Sequence, residues 1–198
     1  MTFTDKIIGF ALTGSFCTLA EVLPQVQAFV QAGARVLPIL SPAVAHYDTR
    51  FGKAADWQIK LAAITGENII KTIPEVEPIG PKVLLDLLVV APCTGNTLAK
   101  IANGISDTSV TLAVKAHLRN ERPVVLSVST NDALAGNAKN IGQLMNSKHI
   151  YFVPLKQDDP VNKTRSAVSD STWILETAAK ALQGAQMQPI MMQTSIQP

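Results

Sequence analysis

Small hydroxyl and amide residues follow an apolar segment near the middle of the chain. The run LLDLLVVA at residues 84–91 gives way to Pro92, Cys93, Thr94, Gly95, Asn96 and Thr97. Packing into a core would favour larger apolar side chains, whereas short polar ones let backbone and side-chain donors close on a ligand. A second stretch of this kind, Thr13-Gly14-Ser15, follows the apolar run at residues 7–12. Both stretches are therefore candidate ligand-binding segments.

The first of the two candidate segments along the chain favours an anion. Residues 13–17 precede a helical pattern, and the first turn of a helix presents free N–H groups and the positive end of its dipole. The segment lacks the lysine of a nucleoside-triphosphate P-loop and the G-x-G-x-x-G of a dinucleotide fold. A single phosphate monoester held by hydroxyls is the ligand that fits these residues. An ordinary strand-to-helix turn, with Gly14 at a tight bend, explains the segment equally well.

Apolar runs alternate with helical patterns along the chain, which predicts an α/β fold. Strands are expected at residues 7–12, 36–40, 84–91, 124–128 and 150–153. Helices are expected at residues 19–30, 54–64, 97–102, 110–119, 138–146 and 173–182. Loops are expected at residues 43–53, 73–82 and 155–171. This order predicts a doubly wound parallel sheet of the Rossmann-like, flavodoxin type, with helices on both faces.

The predicted elements form one domain over residues 1–198, with a core at about 5–155 and a C-terminal loop, helix and tail at 156–198. In such sheets ligands bind beyond the carboxyl ends of the strands. Those ends are small and polar here: residues 13–15, Ser41, residues 92–97 and residues 127–131. The candidate segments are therefore expected to face one shared crevice.

Composition excludes several classes of function. A net charge of +2 over 198 residues is too small to indicate nucleic acid or an anionic membrane as a partner. Apolar stretches fall short of the roughly 20 residues that span a bilayer, so a cytoplasmic location is expected. Cys17 and Cys93 form no disulfide framework and favour small reduced apolar roles. The three histidines, His46, His117 and His149, are isolated, so no metal site is predicted.

The segment PCTGNTLAKIANGISD at residues 92–107 resembles the P-A-S-A-N-T segment of a flavoprotein family. That family contains peptidyl-cysteine decarboxylases, phosphopantothenoylcysteine decarboxylases and flavin prenyltransferases. ALTGS near the N-terminus and the order of elements agree, so the resemblance spans roughly the first 155 residues. It implies FMN as cofactor, near a subunit boundary of a homo-oligomer built of trimers, either one trimer or a dodecamer.

The resemblance also implies roles for individual residues. It assigns the contacts with the phosphate and ribityl groups to Gly14, Ser15 and Ser41. It assigns the contacts with the flavin ring to Pro92, Thr94, Asn96 and Thr97. Thr13 and Cys93 belong to the same two loops and complete the predicted cofactor-binding set.

Departures from the family pattern narrow the activity. The catalytic histidine of the cysteine decarboxylases aligns with Pro78, and their P-x-M-N motif is replaced by Ser129-Thr130-Asn131. The Arg-Glu pair of the flavin prenyltransferases is also missing. Decarboxylation and prenyl transfer by the family routes therefore become the alternative function.

Four further segments, EPIGPK, TRFG, RPVVLSVSTNDAL and VPLKQDDP, resemble the B subunits of dipicolinate synthase, one branch of this family. That resemblance implies oxidation of a dihydrodipicolinate-type intermediate of the lysine pathway to pyridine-2,6-dicarboxylate, in the mother cell during sporulation. FMN is then the expected hydride acceptor, and an A subunit is the expected partner that carries NAD(P). A non-catalytic FMN-binding or scaffold role is left open by the residues.

A dicarboxylate substrate calls for cationic side chains, and arginine is best suited to bidentate carboxylate contact. Arg50, in the branch-specific TRFG, is predicted to hold a carboxylate in this crevice or in that of a neighbouring subunit. Asn131 keeps the amide of the family motif and is predicted to orient the substrate ring. Lys53 and Lys82 are further candidates. Each cation also fits a solvated surface, and Asn131 also fits a simple turn.

Overall fold

A mainly parallel sheet forms the centre of the protein in the computed structural model, which describes residues 2–82 and 84–193. Its strands are β1 Ile7–Leu12, β2 Arg35–Leu40, β3 Leu87–Thr94, β4 Val124–Thr130, β5 Ile150–Phe152, β6 Leu155–Lys156 and β7 Ala167–Ser169. Strands β2, β1, β3, β4 and β5 lie side by side in that order and run parallel. This is the order of the flavodoxin-like doubly wound sheet, so the predicted fold class is confirmed.

Helices cover both faces of the sheet. They are α1 Leu19–Gln31, α2 Pro42–His46, α3 Ala54–Thr65, α4 Ile73–Val76, α5 Gly95–Ala102, α6 Ser109–Leu118, α7 Ala138–Met145 and α8 Ile174–Leu182. Short 3₁₀ turns occur at Phe16–Thr18, Glu77–Ile79 and Ser171–Trp173. One core cluster joins the sheet to α1, α3 and α8, and the other joins it to α5, α6 and α7.

Strand β3 shows why the sheet has two cores. Its apolar residues alternate between the clusters, with Val89 and Ala91 in one and Val90 and Cys93 in the other. A strand buried on both faces reads as a continuous apolar run rather than an alternating one. The run at residues 84–91 therefore marks the centre of the sheet.

The prediction that residues 43–53 and 73–82 are loops was wrong in part, because each range contains helical residues. Pro42 stands at the start of α2, and Pro74 stands in the first turn of α4. The first turn tolerates proline because its N–H groups have no partner within the helix. Thr72 and Glu75 also form a capping box at α4. The prolines begin these helices and do not interrupt them.

The boundaries around the central polar segment also differ from expectation. Strand β3 continues through Pro92 and Cys93 to Thr94, with a shift of register against β4 between Val90 and Cys93. Helix α5 then begins at Gly95, two residues earlier than predicted, with the Thr94 side chain capping it. Strand β4 likewise extends to Thr130.

The expected loop at residues 155–171 contributes two antiparallel strands. Strand β7 pairs with the end of β4 through Ser129 and Thr130, and β6 pairs with β7. Strand β5 pairs with the beginning of β4, so β5 and β7 share one edge of that strand. The segment 155–169, which we call the hairpin segment, thus extends the sheet beside the carboxyl end of β4.

The C-terminal tail returns to the hairpin segment. Leu155 donates its N–H to Ile190 and accepts from Met192, and Met187 is buried against the fold. Residues 194–198 of the predicted tail lie outside the described residues. Across the described part of the chain, helices that are long and apolar enough to cross a membrane are absent.

Candidate functional site

The carboxyl ends of β1, β3 and β4 open into one cavity of about 840 Å³. This volume lies within the range of about 300–1,000 Å³ that is usual for small-molecule and cofactor sites. Three groups of residues line it: Gly14–Thr18 after β1, Pro92 and Thr94–Asn96 around the β3–α5 junction, and Ser127–Asp132 at the end of β4. The hairpin segment and the residues just after it close a further side. The expected crevice is therefore observed for three of the four polar strand ends, whereas Ser41, after β2, is not part of the lining.

Five of the nine predicted cofactor-binding residues line this cavity. They are Gly14, Ser15, Pro92, Thr94 and Asn96. The other four, Thr13, Ser41, Cys93 and Thr97, lie behind the lining and are buried. Five predicted residues therefore lie at the cavity surface and four are buried, and their role in binding a cofactor stays a prediction.

Thr13 fixes the two binding loops to one another. Its hydroxyl donates to the carbonyl of Pro92 at 2.7 Å and accepts from the N–H of Thr94 at 3.0 Å. Because the residue is fully buried, both bonds are protected from competing water. Thr13 therefore ties the turn after β1 to the end of β3.

Thr94 and Thr97 continue this support at the start of α5. The Thr94 hydroxyl accepts from the Thr97 N–H and donates to the Thr97 hydroxyl at 3.1 Å. The Cys93 thiol is completely buried, and burial raises its pKa to about 12. Cys93 therefore stays neutral and packs as a small apolar residue, as the composition favoured.

Ser41, which precedes α2 and is not part of the cavity lining, carries an unused polar group. Its side chain is buried, and its hydroxyl finds no hydrogen-bond partner within the described part of the chain. It precedes α2 in a capping position but makes no capping bond. A buried hydroxyl without a partner is costly unless a ligand or water satisfies it. Ser41 is thus an unsatisfied donor behind the turn at Gly14.

The turn after β1 also approaches α2 closely. A Cβ atom on Gly14 would lie 3.2 Å from the Cβ of Ala43, so the backbone here packs tightly against the residues after Ser41. Ser15 reaches across the cavity, and its hydroxyl lies 2.8 Å from that of Ser129. The ends of β1, β2 and β4 therefore converge on the same small region.

Asp132 is held by a network at the end of β4. Its carboxylate accepts from the Thr130 hydroxyl at 2.6 Å and from the Asn137 amide at 2.8 and 2.9 Å. These bonds, with that of Thr130 contributing most, hold the pKa of Asp132 below its usual range. The buried amide of Asn140 in turn donates to Asn137 at 2.8 Å. The cavity wall thus contains a fixed negative charge.

The hairpin segment brings two ion pairs to the cavity. Lys156 binds Asp170 at 2.9 Å, and Lys163 binds Asp158 at 3.0 Å. All four residues line the cavity. Among the described residues that line it, these two lysines are the cations.

The predicted catalytic residues occupy different positions. Asn131 lines the cavity and is exposed there. Arg50 lies outside the lining, with its guanidinium carbon 4.8 Å from the centre of the Phe51 ring, and it is Phe51 that lines the cavity. Lys53 and Lys82, the further candidates, are not part of the lining.

The sequence patterns did not reveal Asp132 or the charged residues of the hairpin segment. Asp132 follows Asn131 directly, but its role depends on Asn137 at the start of the next helix. Lys156 and Lys163 lie in a stretch that was expected to be a polar loop. The available signal was the concentration of charge in LKQDDPVNK within a chain that is only 16% charged.

The flavoprotein family model matches residues 3–183, so the chain belongs to the flavoprotein family. Within that family the chain is similar to the B subunit of dipicolinate synthase from Bacillus subtilis (strain 168). The two are 46% identical over 188 residues, which is 95% of this chain and 94% of the relative. The predicted resemblance to this branch is thereby confirmed.

Solved structures agree with this assignment. The dipicolinate synthase B subunit from Bacillus halodurans C superposes with a TM-score of 0.91 at 45% identity, covering 98% of this chain and 100% of that one. An FMN-dependent cysteine decarboxylase from thioviridamide biosynthesis gives a TM-score of 0.64 at 24% identity, covering 90% and 99%. The second likeness is evidence for the shared fold alone.

Proposed function

We propose that this chain binds FMN in the cavity and is the flavoprotein subunit of an enzyme that forms pyridine-2,6-dicarboxylate. The observation that carries the proposal is the similarity to the dipicolinate synthase B subunit over nearly the whole of both chains. The cavity at the strand ends supplies a site of suitable size. The substrate in this proposal is a dihydropyridine dicarboxylate, and the reaction is its oxidation to the aromatic ring.

The residues around Gly14 fit the phosphate of FMN. The buried hydroxyl of Ser41 has no hydrogen-bond partner among the described residues, and a phosphate oxygen would accept its hydrogen bond. Ser15 offers a second hydroxyl from the turn after β1, where Gly14 keeps the backbone close to α2. Hydrogen bonds to a charged acceptor are about twice as strong as neutral ones, which suits a site made of hydroxyls.

The β3–α5 junction fits the flavin ring. Pro92, Thr94 and Asn96 line the cavity beside one another, and Thr13 and Thr97 fix the backbone beneath them. A bound flavin would accept the hydride, which carries both electrons, from the dihydro ring, and the second hydrogen would leave the ring as a proton. The protein's own part is to hold the two rings face to face.

Residues at the end of β4 would then act on the substrate. Asn131 presents an amide that can orient a ring nitrogen or a carboxylate. Loss of a hydride leaves positive charge on the substrate ring, and the Asp132 carboxylate is placed to stabilise it. Because three hydrogen bonds already hold Asp132 in position, little reorganisation is needed as that charge develops.

The family's other activities are a weaker fit to this site. The position of the decarboxylase histidine is occupied by Pro78, which lies in the 3₁₀ turn at Glu77–Ile79 and is not part of the cavity lining. His117 is buried, with its ring nitrogen 3.1 Å from the carbonyl of Pro123. The described lining residues thus include acids, amides and hydroxyls but no imidazole for proton transfer.

The proposal includes two partners. The first is a second kind of subunit, an A subunit that carries NAD(P), because the relative's name denotes one subunit of a larger enzyme. The second is further copies of this chain, as trimers or as a dodecamer. Light scattering on the purified chain tests the latter, and a monomer at micromolar concentration would contradict it.

Reconstitution of the two subunits tests the catalytic role. Dipicolinate formation, followed by its ultraviolet absorbance, should require both subunits and should fall when FMN is stripped from this chain. Full activity of a flavin-free preparation would show that the hydride passes directly to nicotinamide. This chain would then be a scaffold with a flavoprotein fold.

Arg50 has its own test in the same assay. If Arg50 holds a substrate carboxylate, Arg50→Ala should lower kcat/KM by roughly a hundredfold while FMN stays bound, since a charged hydrogen-bonded contact is lost. Wild-type turnover by this variant would assign Arg50 to the surface. Lys60→Ala, which removes another exposed cation from the neighbouring helix α3, is the matched control.

A further inference from the structure

The hairpin segment carries charges that the fold alone does not require. Its two short strands add little to the sheet, yet the segment and the residue just after it place two lysines and two aspartates at the cavity. Exposed ion pairs contribute little to stability, so packing gives no strong reason for this arrangement. Binding of a negatively charged ligand would explain why the lysines are placed at the cavity.

Lys156 is positioned by a carboxylate that is itself fixed. One oxygen of Asp170 accepts from the N–H and the hydroxyl of Thr172, at 3.1 and 2.7 Å, and the other oxygen binds Lys156 at 2.9 Å. Burial raises the pKa of Asp170, but the bonds from Thr172 and Lys156 outweigh this and keep it below its usual range. The ammonium group is therefore held at one place on the cavity wall.

Lys163 stands on the loop of the same segment. Its ammonium group binds Asp158 at 3.0 Å, and this bond is the main reason why the pKa of Lys163 is raised. Cys17, in the turn after β1, lines the same cavity as Lys163. Lys163 thus reaches from the hairpin segment toward the opposite side of the cavity.

Each ammonium group keeps donors for a ligand. Lysine has three N–H donors, and each of these lysines donates one hydrogen bond to an aspartate. The side chains are also accessible, with exposed fractions of 39% for Lys156 and 59% for Lys163. Both geometry and exposure therefore leave room for an incoming carboxylate.

We propose that Lys156 and Lys163 bind the carboxylates of the substrate and so determine the enzyme's preference for a dicarboxylate. The paired aspartates hold the ammonium groups in place when the ligand is absent. This inference rests on the proposed function, since it assigns the carboxylate contacts within the same cavity. It moves those contacts from Arg50 to the hairpin segment.

Binding of the stable product tests this assignment without the partner subunit. Pyridine-2,6-dicarboxylate is titrated by calorimetry into the purified, FMN-supplemented full-length chain, with pyridine-2-carboxylate as the single-carboxylate comparison. The variants are Lys156→Met, Lys163→Met and Arg50→Ala. Lys148→Met is the matched control, because Lys148 is exposed just before the amino end of β5, whereas the cavity lies at the carboxyl ends of the parallel strands.

The expected result is a loss of about tenfold in affinity for each cavity lysine, since each change removes one charge-assisted contact. The same changes should affect the single-carboxylate ligand less, which would narrow the difference between the two ligands. Lys156→Arg, which keeps the charge, should recover part of the loss. Lys148→Met should bind as the wild type does.

Two results would overturn the assignment. In one, Lys156→Met and Lys163→Met bind the dicarboxylate like the wild type, and weaker binding by Arg50→Ala would then return the carboxylate contact to Arg50. In the other, the wild-type chain does not discriminate between the two pyridine ligands. FMN binding is measured on the same samples, so retention of FMN would leave the cofactor proposal standing in either case.

Discussion

Replacing Gly95 with alanine should destabilise the protein, although alanine normally favours a helix. Gly95 is the first residue of α5 and packs against the Asp132 network. A Cβ atom there would lie 2.4 Å from the Thr130 hydroxyl, 2.6 Å from the Asn137 amide nitrogen and 3.0 Å from a carboxylate oxygen of Asp132. These groups are hydrogen-bonded to one another, so they cannot move aside independently.

The size of the effect follows from these contacts. Overpacking costs about 1–3 kcal/mol, and disturbing one hydrogen bond of the network adds about 1 kcal/mol. The helical preference of alanine over glycine returns at most about 1 kcal/mol. The expected net loss is about 2 kcal/mol in the free energy of unfolding.

Urea unfolding followed by circular dichroism, at one protein concentration, measures this loss. Gly142→Ala is the matched control, because Gly142 lies within α7 and a Cβ there would meet nothing within 4 Å. The control should be stabilised by about 0.5–1 kcal/mol. If Gly95→Ala is stabilised to the same degree, the Asp132 network is not the rigid structure described above.

Three further predictions concern single buried or cavity residues. Burial is the main reason why the pKa of His117 falls to about 4, whereas the unfolded chain takes up the proton near 6.5. The contribution of His117 to the free energy of unfolding should therefore be fully present above about pH 6.5. It should fall by up to about 3 kcal/mol as the pH drops toward 4, and thermal unfolding of the wild type and of His117→Gln across this pH range measures the loss. A thiol reagent should modify only Cys17 in the native chain and both cysteines after denaturation, and FMN should protect Cys17. Ser41→Ala should leave the apoprotein as stable as the wild type but weaken FMN binding about tenfold, because a bond to phosphate is lost.

Each of these predictions has a result that contradicts it. An equal pH dependence in His117→Gln would remove His117 as the source of the acid sensitivity. Reaction of Cys93 in the native chain would mean that the centre of the sheet opens. Thr177→Val removes another buried hydroxyl, in α8 on the core, that has no partner within residues 2–82 and 84–193. If it weakens FMN binding as much as Ser41→Ala does, the effect is not specific to the phosphate site.

The parallel core could be predicted because its physical signals are local. Strands buried on both faces appear as apolar runs, and the helices between them show a clear apolar stripe, as in Leu19–Gln31. The polar residues at the strand ends then locate the site through topology alone. This is why Gly14, Ser15 and Asn96 could be placed at one cavity before any geometry was known.

The remainder of the site depends on contacts between distant residues. Strands β6 and β7 are only two and three residues long, and they exist because β4 offers a free edge at Ser129 and Thr130. The position of Asp132 depends on Asn137, and the unsatisfied hydroxyl of Ser41 depends on what surrounds it. None of these signals is periodic, so the sequence pattern could not reveal them.

The direct test of the proposed cofactor is a titration of FMN into the apoprotein, followed by the change in flavin fluorescence. We expect saturable binding of one FMN per chain at low micromolar concentration, weakened in Ser41→Ala and unchanged in Thr177→Val. Absence of binding at tens of micromolar, which corresponds to less than about 6 kcal/mol of binding free energy, would contradict the proposal that this chain is a flavin carrier.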